Sequence, residues 1–196
     1  MQKKINKSLV GIILASGSGS RMKNSTPKQY LSINNISLLE INIEKFLSLS
    51  YMSLLIVVIN KKHFDLYKAI KRKYKNTIFI EGGKSRQESS FCALKYLKKH
   101  SCKYVMIHDS ARPFISEKLI NKLYHKLNKV KTAVIPVTKI QDSIKLCEGN
   151  KVKKDINREN VYLTQTPQLF EYKVLYDVYL NNKDKLDYFT DDAQIF

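Results

Sequence analysis

The sequence predicts an α/β protein in which helices cover both faces of a mostly parallel sheet. Short apolar runs alternate with amphipathic segments of helical length through most of the 196 residues, which is typical of successive βαβ units. The run LLIVVI at 54–59 has no polar side chain, as expected of a strand that is buried on both faces. A turn of serines and glycines follows the first apolar run, at the strand end where parallel sheets hold their ligands.

The predicted strands are short apolar runs bounded by polar or turn-forming residues. The first ends in the serine and glycine turn, and the fourth ends at His108 and Asp109. Because the carboxyl ends of parallel strands share one edge of the sheet, we expect these two loops to meet in one crevice. In chain order, the predicted strands are 10–15, 54–59, 77–81, 104–108 and 133–137.

The predicted helices have apolar side chains on one face and polar side chains on the other. In the third helix, Ser89, Ala93 and Leu97 share the face that would pack on the sheet. Its first turn has a capping-box pattern, with Ser85 as the N-cap and Glu88 three residues later. The predicted helices are 37–49, a lysine-rich 64–74, 85–100 and 117–128.

Residues 138–162 break this alternation, because the sequence there is polar and rich in turn formers. Glu148-Gly149-Asn150 is a plausible hairpin turn. The segment is too polar to be core, and one interpretation is a solvent-exposed hairpin on a monomer.

Composition limits the class of protein. A chain of 196 residues with 43% hydrophobic residues fits one domain with a sizeable core. No apolar run approaches the roughly 20 residues that span a bilayer, so we expect no membrane association and a cytoplasmic location. Cys92, Cys102 and Cys147 lack the spacing of a disulfide framework or a zinc site.

The formal charge of +18 could favour nucleic acid. However, the excess is lysine scattered through helices, and no nucleic-acid recognition motif accompanies it. We therefore expect no nucleic-acid partner. A positive surface would instead draw anionic substrates toward the site.

The turn at 16–20 has the features of a loop that binds a polyphosphate. Gly17 and Gly19 allow backbone N–H groups to approach an anion, since no Cβ intervenes. Arg21 can bind two phosphate oxygens at once, whereas Lys28 carries a mobile point charge. The pattern is neither a Walker A loop nor G-x-G-x-x-G, because Met22 stands where the third glycine of that motif would be.

These residues resemble the signature loop of the sugar-phosphate nucleotidyltransferases. The PKQYL ending at 27–31 is similar to the CTP-using branch, which includes methylerythritol phosphate cytidylyltransferase and ribitol-5-phosphate cytidylyltransferase. Further segments resemble the same branch in the same order: GGKSRQES at 82–89, HDSARPF at 108–114, TQTPQ at 164–168 and FTDDA at 189–193. The resemblance implies a Rossmann-like sheet of the nucleotide-diphospho-sugar transferase type, with a β-arm that embraces a second subunit in a homodimer.

The resemblance implies transfer of CMP from CTP to a sugar phosphate, with release of pyrophosphate and assistance from Mg²⁺. Arg21 and Lys28 match the catalytic cations. Asp109 would serve the ribose, the metal-bound triphosphate or the acceptor's hydroxyls, or else would form a local ion pair with Arg112. The CTP-binding positions are Ala15, Ser16, Gly17, Gly19, Gly83, Lys84, Ser89, Asp109 and Ser110.

The positions that match the acceptor site are Asp109, Arg112, Ser143, Arg158, Thr166 and Thr190. Ser143 and Arg158 lie on the arm and would reach the neighbouring subunit's site. Thr190 has an alternative role as the cap of a helix that Asp191 and Asp192 begin. The chain departs from the family pattern at Lys84, where aspartate is usual, and at Ser143, where threonine is usual.

The resemblance also implies that the domain continues beyond Phe196 with an aspartate and a second lysine. We therefore expect weak or absent turnover from the 196 residues alone. The leading hypothesis is a methylerythritol phosphate cytidylyltransferase of isoprenoid precursor synthesis. The alternatives are a ribitol-5-phosphate cytidylyltransferase for cell-surface polymers and a non-catalytic protein associated with nucleic acid.

Overall fold

A computed structural model of the chain describes residues 9–18, 26–130 and 132–196. Its centre is a six-stranded sheet in the order β5-β4-β1-β6-β12-β7. The strands of this sheet are β1 (Leu9–Ala15), β4 (Met52–Ile59), β5 (Thr77–Glu81), β6 (Tyr104–Asp109), β7 (Ala133–Val134) and β12 (Gln168–Glu171). The first four strands in the sheet order run parallel, and β12 runs antiparallel to both of its neighbours.

Helices pack on both faces, as the sequence predicts. They are α1 (Leu38–Leu47), α2 (Phe64–Lys73), α3 (Arg86–Leu97), α4 (Glu117–Val130), α5 (Tyr172–Asn181) and α6 (Asp192–Ile195). Side chains of α1, α2 and α4 form one apolar cluster with the sheet, and side chains of α3, α5 and α6 form the other. Alternate residues of β1 contribute to the two clusters, since side chains on a strand point to opposite faces.

The predicted strands and helices are confirmed to within a few residues, with one exception. The predicted strand at 133–137 is wrong, because only Ala133–Val134 joins the sheet and Val137–Lys139 belongs to a separate ladder. The sequence pattern does not predict α5 or β12, and the pairing of β12 with β6 closes the parallel part of the sheet. Only four residues long, β12 gives too short a periodic signal to identify from sequence.

The predicted arm consists of two antiparallel ladders. Its strands are β8 (Val137–Lys139), β9 (Ile144–Glu148), β10 (Lys151–Ile156) and β11 (Tyr162–Thr164), and β8 pairs with β11 while β9 pairs with β10. Gly149 has a φ of +56° at the tip, the left-handed conformation that a tight hairpin turn requires. A smaller hairpin of β2 (Ser32–Ile33) and β3 (Ile36–Ser37) precedes α1.

In the part of the chain that the structure describes, no helix is both long and apolar enough to cross a membrane.

Candidate active site

A crevice of about 720 Å³ lies over the carboxyl ends of the parallel strands, at the edge where the sequence predicts ligand binding. The loop after β1 borders one side, and the loop after β5 with the start of α3 borders the other. The end of β6 lies beside the end of β1, since the backbone N–H of Ser110 donates to the carbonyl of Leu14 at 3.1 Å. The predicted convergence of the first and fourth strand ends is therefore confirmed.

Most of the described residues that the sequence assigns to CTP line this crevice. They are Ser16, Gly17, Gly83, Lys84, Asp109 and Ser110, together with the predicted catalytic Lys28. Ala15 is buried directly beneath the loop, and Ser89 is fully buried in α3 behind the wall. The predictions for Gly19 and Arg21 lie outside the described residues.

The Ser89 hydroxyl ties three segments together instead of facing the crevice. It donates to the carbonyl of Ser85 at 2.8 Å and accepts from the backbone N–H of Gly83 at 3.2 Å. Its oxygen also lies 2.8 Å from the hydroxyl oxygen of Ser16. Because the single proton of Ser89 goes to a carbonyl, the Ser16 hydroxyl is the donor in this last bond. Ser89 thus fixes both sides of the crevice from below.

The paired glycines after β5 are required by close packing. A Cβ at Gly82 would lie 2.6 Å from the Ser89 hydroxyl oxygen, and a Cβ at Gly83 would lie 2.3 Å from the Cβ of Glu88. Ser85 caps α3 as predicted, but the capping box is wrong in one bond. The Glu88 carboxylate accepts from the backbone N–H of Lys84 at 2.7 Å, one residue before the cap.

A buried glutamine holds the β1 loop from the other side. The side-chain amide of Gln29 donates to the carbonyls of Ala15 and Gly17, both at 2.8 Å. Gln29 is only 4% exposed, so water cannot replace it as a donor. Its neighbour Lys28 lies on the same short 3₁₀ turn, so the two hydrogen bonds also fix the position of the Lys28 backbone. Gln29 lies in the PKQYL segment, but no local pattern in the sequence indicates this role.

An arginine that the sequence analysis missed connects the crevice to the end of the described chain. Arg86 Nε lies 3.1 Å from Asp109 Oδ1, and Arg86 Nη1 lies 2.6 Å from Asp192 Oδ2. Asp192 is fully buried and also accepts from the hydroxyl of Tyr179 at 2.6 Å. Although burial works against the charge, the carboxylates of Asp192 and Asp109 raise the pKa of Arg86 above its ordinary value. Arg86 thus remains a fixed cation in the wall of the crevice.

Asp109 also contacts the more exposed Arg112. The Nε of Arg112 lies 3.4 Å from Asp109 Oδ2, so the local ion pair that the sequence left as an alternative is present. A second guanidinium nitrogen of Arg112 donates to the side-chain oxygen of Gln165. Each oxygen of the Asp109 carboxylate therefore has one arginine partner.

A second cavity of about 520 Å³ adjoins this ion pair. Arg112 and Thr166, both predicted to contact the acceptor, lie in its wall together with His108. The other walls are mostly apolar, and Phe114 is 85% exposed there. The structure thus brings two predicted acceptor residues together beside Asp109.

Three predicted acceptor residues line neither of these two cavities. Ser143 and Arg158 are exposed on the arm, where Arg158 donates to the backbone carbonyl of Gln141. The Thr190 hydroxyl donates to the side chain of Gln194 at 3.0 Å. The cap of α6 is Asp191, not Thr190, since the carboxylate of Asp191 accepts from the backbone N–H of Gln194.

Across residues 9–18, 26–130 and 132–196 there is no cluster of three histidine, cysteine, aspartate or glutamate side chains that could enclose a metal ion. Asp109 lines the crevice wall together with Glu81 and Glu88, and its two oxygens are held by arginines. A single carboxylate is compatible with Mg²⁺ that is held mainly by substrate phosphates.

Known proteins resemble the chain over nearly its whole length. A family model described as IspD, 2-C-methyl-D-erythritol 4-phosphate cytidylyltransferase, matches residues 9–196. The chain is 36% identical over 190 residues to the cytidylyltransferase of that name from Thermosipho africanus, covering 95% of this chain and 83% of the relative. It is 42% identical over 185 residues to the bifunctional enzyme IspD/IspF of Pelagibacter ubique, covering 94% of this chain but 48% of the relative.

A solved structure shares the fold. The 4-diphosphocytidyl-2C-methyl-D-erythritol synthase from Anaerococcus prevotii superposes with a TM-score of 0.82 at 33% identity, covering 100% of this chain and 84% of that structure. The fold, the crevice and these matches define an enzyme of the nucleotidyltransferase class. The chain belongs to the 2-C-methyl-D-erythritol 4-phosphate cytidylyltransferase family. This membership favours methylerythritol phosphate over ribitol phosphate as the acceptor.

Proposed function

We propose that the chain transfers CMP from CTP to 2-C-methyl-D-erythritol 4-phosphate and releases pyrophosphate. An oxygen of the acceptor phosphate attacks the α-phosphorus of CTP, and the bond from that phosphorus to the pyrophosphate oxygen breaks. The observation that carries the proposal is one crevice in which the β1 loop, Lys28, Arg86 and Asp109 converge, with Arg112 paired to Asp109 from the wall of the adjoining cavity.

Charge neutralisation is the main task of the residues in this crevice. Negative charge builds on the α-phosphate and on the leaving pyrophosphate, and fixed cations stabilise it without reorganisation. Lys28 lies on the turn that Gln29 anchors to the β1 loop, so its backbone is held beside the Gly17 peptide. Arg21, the other catalytic cation of the proposal, follows the same loop in the sequence.

Base binding falls to groups on either side of the crevice. Ser16 and Gly83 are linked through the buried Ser89 hydroxyl, which holds the two loops at a fixed separation. Backbone groups of Ala15, Ser16 and Gly83, with the exposed Lys84 at the rim, can then select a small pyrimidine. Lys84 stands where aspartate is usual in the family, so its side chain would face the nucleotide with the opposite charge.

Mg²⁺ is the cofactor of this proposal, and Asp109 is the residue that would hold it beside the triphosphate. When bound, the ion neutralises charge on the phosphate oxygens. Asp109 remains oriented by Arg86 in either case, because that guanidinium is anchored at its other end by the buried Asp192.

The second cavity, beside Arg112 and Thr166, would receive the acceptor. We further propose a homodimer in which the arm of one copy brings Ser143 and Arg158 to the acceptor cavity of the other. The arm supports this because Leu146 and Val152 are 48% and 60% exposed on a two-stranded hairpin. A cytoplasmic location, where CTP is available, belongs to the same proposal.

Pyrophosphate release tests the function directly. With Mg²⁺ present, we expect slow release with CTP and 2-C-methyl-D-erythritol 4-phosphate, in keeping with the weak turnover expected from the sequence, and still less when UTP, ATP or ribitol 5-phosphate replaces one substrate. Lys28→Met should lower kcat/KM by about 10²- to 10³-fold, because one cation that stabilises the transition state is removed. Lys99→Met is the matched control, since Lys99 is an exposed lysine outside the crevice. Equal activity of the two variants would contradict the role of Lys28, and turnover with ribitol 5-phosphate alone would contradict the acceptor.

A further inference from the structure

His108 is a buried histidine at the end of β6 that forms part of the wall of the second cavity. Its side chain is 0% exposed, and its ring lies 5.4 Å from the ring of Phe46. Both ring nitrogens have polar partners: Nε2 faces Asn42 and Arg112, and Nδ1 faces Thr166. A buried imidazole with three partners has a defined tautomer, and the partners decide which one.

The partners of Nε2 can only accept. The Asn42 side-chain amide donates to the carbonyls of Leu38 at 2.9 Å and Ser110 at 2.8 Å, which uses both of its hydrogens. Asn42 Oδ1 is therefore the atom that lies 3.2 Å from Nε2 of His108. The other neighbour of Nε2, at 3.0 Å, is the carbonyl oxygen of Arg112. Because both neighbours of Nε2 are hydrogen-bond acceptors, the ring hydrogen must lie on Nε2.

A neutral imidazole carries one ring hydrogen, so with that hydrogen on Nε2 the Nδ1 atom has a lone pair and no hydrogen. The ring is fully buried, and none of its three hydrogen-bond partners is a carboxylate that would stabilise a charged imidazole, so the neutral form is favoured. The Thr166 hydroxyl oxygen lies 2.9 Å from Nδ1, so the hydroxyl must donate its single hydrogen to the ring. Thr166 has no hydrogen left for a ligand.

We propose that His108 is a positioning residue that makes Thr166 a hydrogen-bond acceptor toward the second cavity. One lone pair of Thr166 faces the backbone N–H of Asp109 at 3.4 Å, and the other remains for a ligand. Resting on the proposed function, the inference is that Thr166 accepts from a hydroxyl of the polyol. The acceptor phosphate belongs at Arg112, on the other side of the cavity.

The chemistry of the two ligand ends supports this orientation. A phosphate dianion offers only acceptor oxygens, so it gains nothing from a threonine whose hydrogen is already used. It pairs instead with a guanidinium, which donates several hydrogens in a plane. A polyol hydroxyl can donate, and it is the ligand group that matches the free lone pair of Thr166. His108 would thereby orient the acceptor without touching it.

The tautomer can be measured directly by NMR of the 15N-labelled chain. Long-range correlations between ring nitrogens and ring protons should show His108 neutral, with hydrogen on Nε2, from pH 5.5 to 8. The chain has 4 histidines, and loss of one signal set in His108→Gln assigns the resonances. A ring with hydrogen on Nδ1, or a charged ring, overturns the inference. This readout does not depend on turnover.

Kinetics test the consequence for the acceptor. Thr166→Val keeps the side-chain shape but removes the hydroxyl, so we expect the KM for 2-C-methyl-D-erythritol 4-phosphate to rise about tenfold to hundredfold while the KM for CTP stays within about twofold. Thr166→Ser retains a hydroxyl and should restore the KM. An unchanged acceptor KM in Thr166→Val overturns the functional half of the inference.

Two variants of His108 separate positioning from packing. The shorter His108→Asn keeps an acceptor near the Nδ1 position, whereas His108→Gln reaches the Nε2 partners but leaves Thr166 without an acceptor. We expect His108→Gln to raise the acceptor KM as Thr166→Val does, and the double variant to be no worse than Thr166→Val. Additive losses, or equal losses in both His108 variants at matched melting temperatures, would indicate packing alone.

The outcomes distinguish this inference from the proposed function. If the wild-type chain shows no transfer with any acceptor but binds CTP in calorimetry, the proposed function falls while the NMR result still decides the tautomer. If transfer occurs and the tautomer is as expected, a normal acceptor KM in Thr166→Val removes only the inference.

Discussion

The crevice and the arm differ in how far the chain itself determines their geometry. In the crevice, buried side chains such as Gln29, Ser89 and Arg86 each bind two or more other segments. In the arm, all or nearly all residues of β8, β9, β10 and β11 are exposed, and each strand has one hydrogen-bonded neighbour. Buried side chains that bind several segments therefore fix the geometry of the crevice, whereas the described geometry of the arm depends on its own two ladders.

Ion pairs illustrate the difference. Arg86 pairs with the fully buried Asp192, and removing the Asp192 charge leaves the mostly buried guanidinium with Asp109 as its remaining carboxylate partner. Lys145 and Asp155 form a pair of the same chemical kind across the arm hairpin, but both side chains are largely exposed. Exposed pairs contribute little because water and salt screen them. The same type of contact thus has different consequences in the two regions.

The largest effect should come from breaking the buried pair. Asp192→Asn leaves Arg86 facing an amide, so we expect the free energy of unfolding to fall by about 3 to 5 kcal/mol in urea denaturation. Asp155→Asn on the arm is the matched control and should change it by less than about 1 kcal/mol. Adding Arg86→Met to Asp192→Asn should recover part of the loss, since no unpaired charge remains. Similar losses at Asp192 and Asp155 would contradict the contrast between the regions.

His108 should make the stability of the core depend on pH. Burial lowers its pKa from the ordinary 6.5 to about 4, so the unfolded chain binds more protons than the folded chain between these values. The contribution is complete above about pH 6.5 and is lost as the pH falls through 4, by up to about 3 kcal/mol.

Urea denaturation at several pH values checks this expectation. The slope between pH 4 and 6.5 should be reduced in His108→Gln and unchanged in His125→Gln, whose side chain is exposed. Burial also lowers the pKa of His63, which contributes in the same direction and should account for part of the remaining slope. A wild-type stability that rises as the pH falls below 6 would refute the assignment.

An intermediate effect is expected at Gln29. Gln29→Glu keeps the shape of the side chain, but a carboxylate cannot donate to the Ala15 and Gly17 carbonyls. We expect kcat/KM for CTP to fall about tenfold to hundredfold, with the loss mainly in CTP affinity measured by calorimetry. Gln141→Glu, an exposed substitution of the same kind on the arm, should have no comparable effect on CTP binding.

The smallest effect on the free energy of unfolding is expected at the arm. Val152→Ser or Leu146→Ser removes apolar surface that is already exposed, so the unfolding free energy of the monomer should change by less than about 0.5 kcal/mol. Sedimentation should nevertheless show a weaker dimer if the arm is the interface. If the variant that combines Leu146→Ser with Val152→Ser dimerises as strongly as the wild type, the interface lies elsewhere.

The sequence predicted the parallel strands and their helices well because their signals are local. Apolar runs such as 54–59 and the capping serine at 85 depend on neighbours within a few residues. The motif segments also predicted most of the residues that line the crevice. Arg86 and Gln29 were missed as functional residues because their partners are distant in sequence: Arg86 binds Asp192, 106 residues away.

Other predictions failed or changed for the same reason. Ser89 was expected to face the nucleotide, but the tertiary structure buries it where it links two loops. The strand at 133–137 divides because Val137 pairs with Thr164 in the arm. Local pattern cannot indicate such pairings, since each depends on which segment lies opposite in the fold.

By itself, the sequence determined the fold class, the order of the parallel elements and the edge of the sheet where the site lies, because periodicity and the direction of parallel strands decide these. Only the tertiary structure decided which charged and polar groups pair across the crevice. The donor-to-acceptor direction of the hydrogen bonds that link Asn42, His108 and Thr166 depends on the tertiary structure, because each buried donor must bond to an acceptor that the fold places beside it.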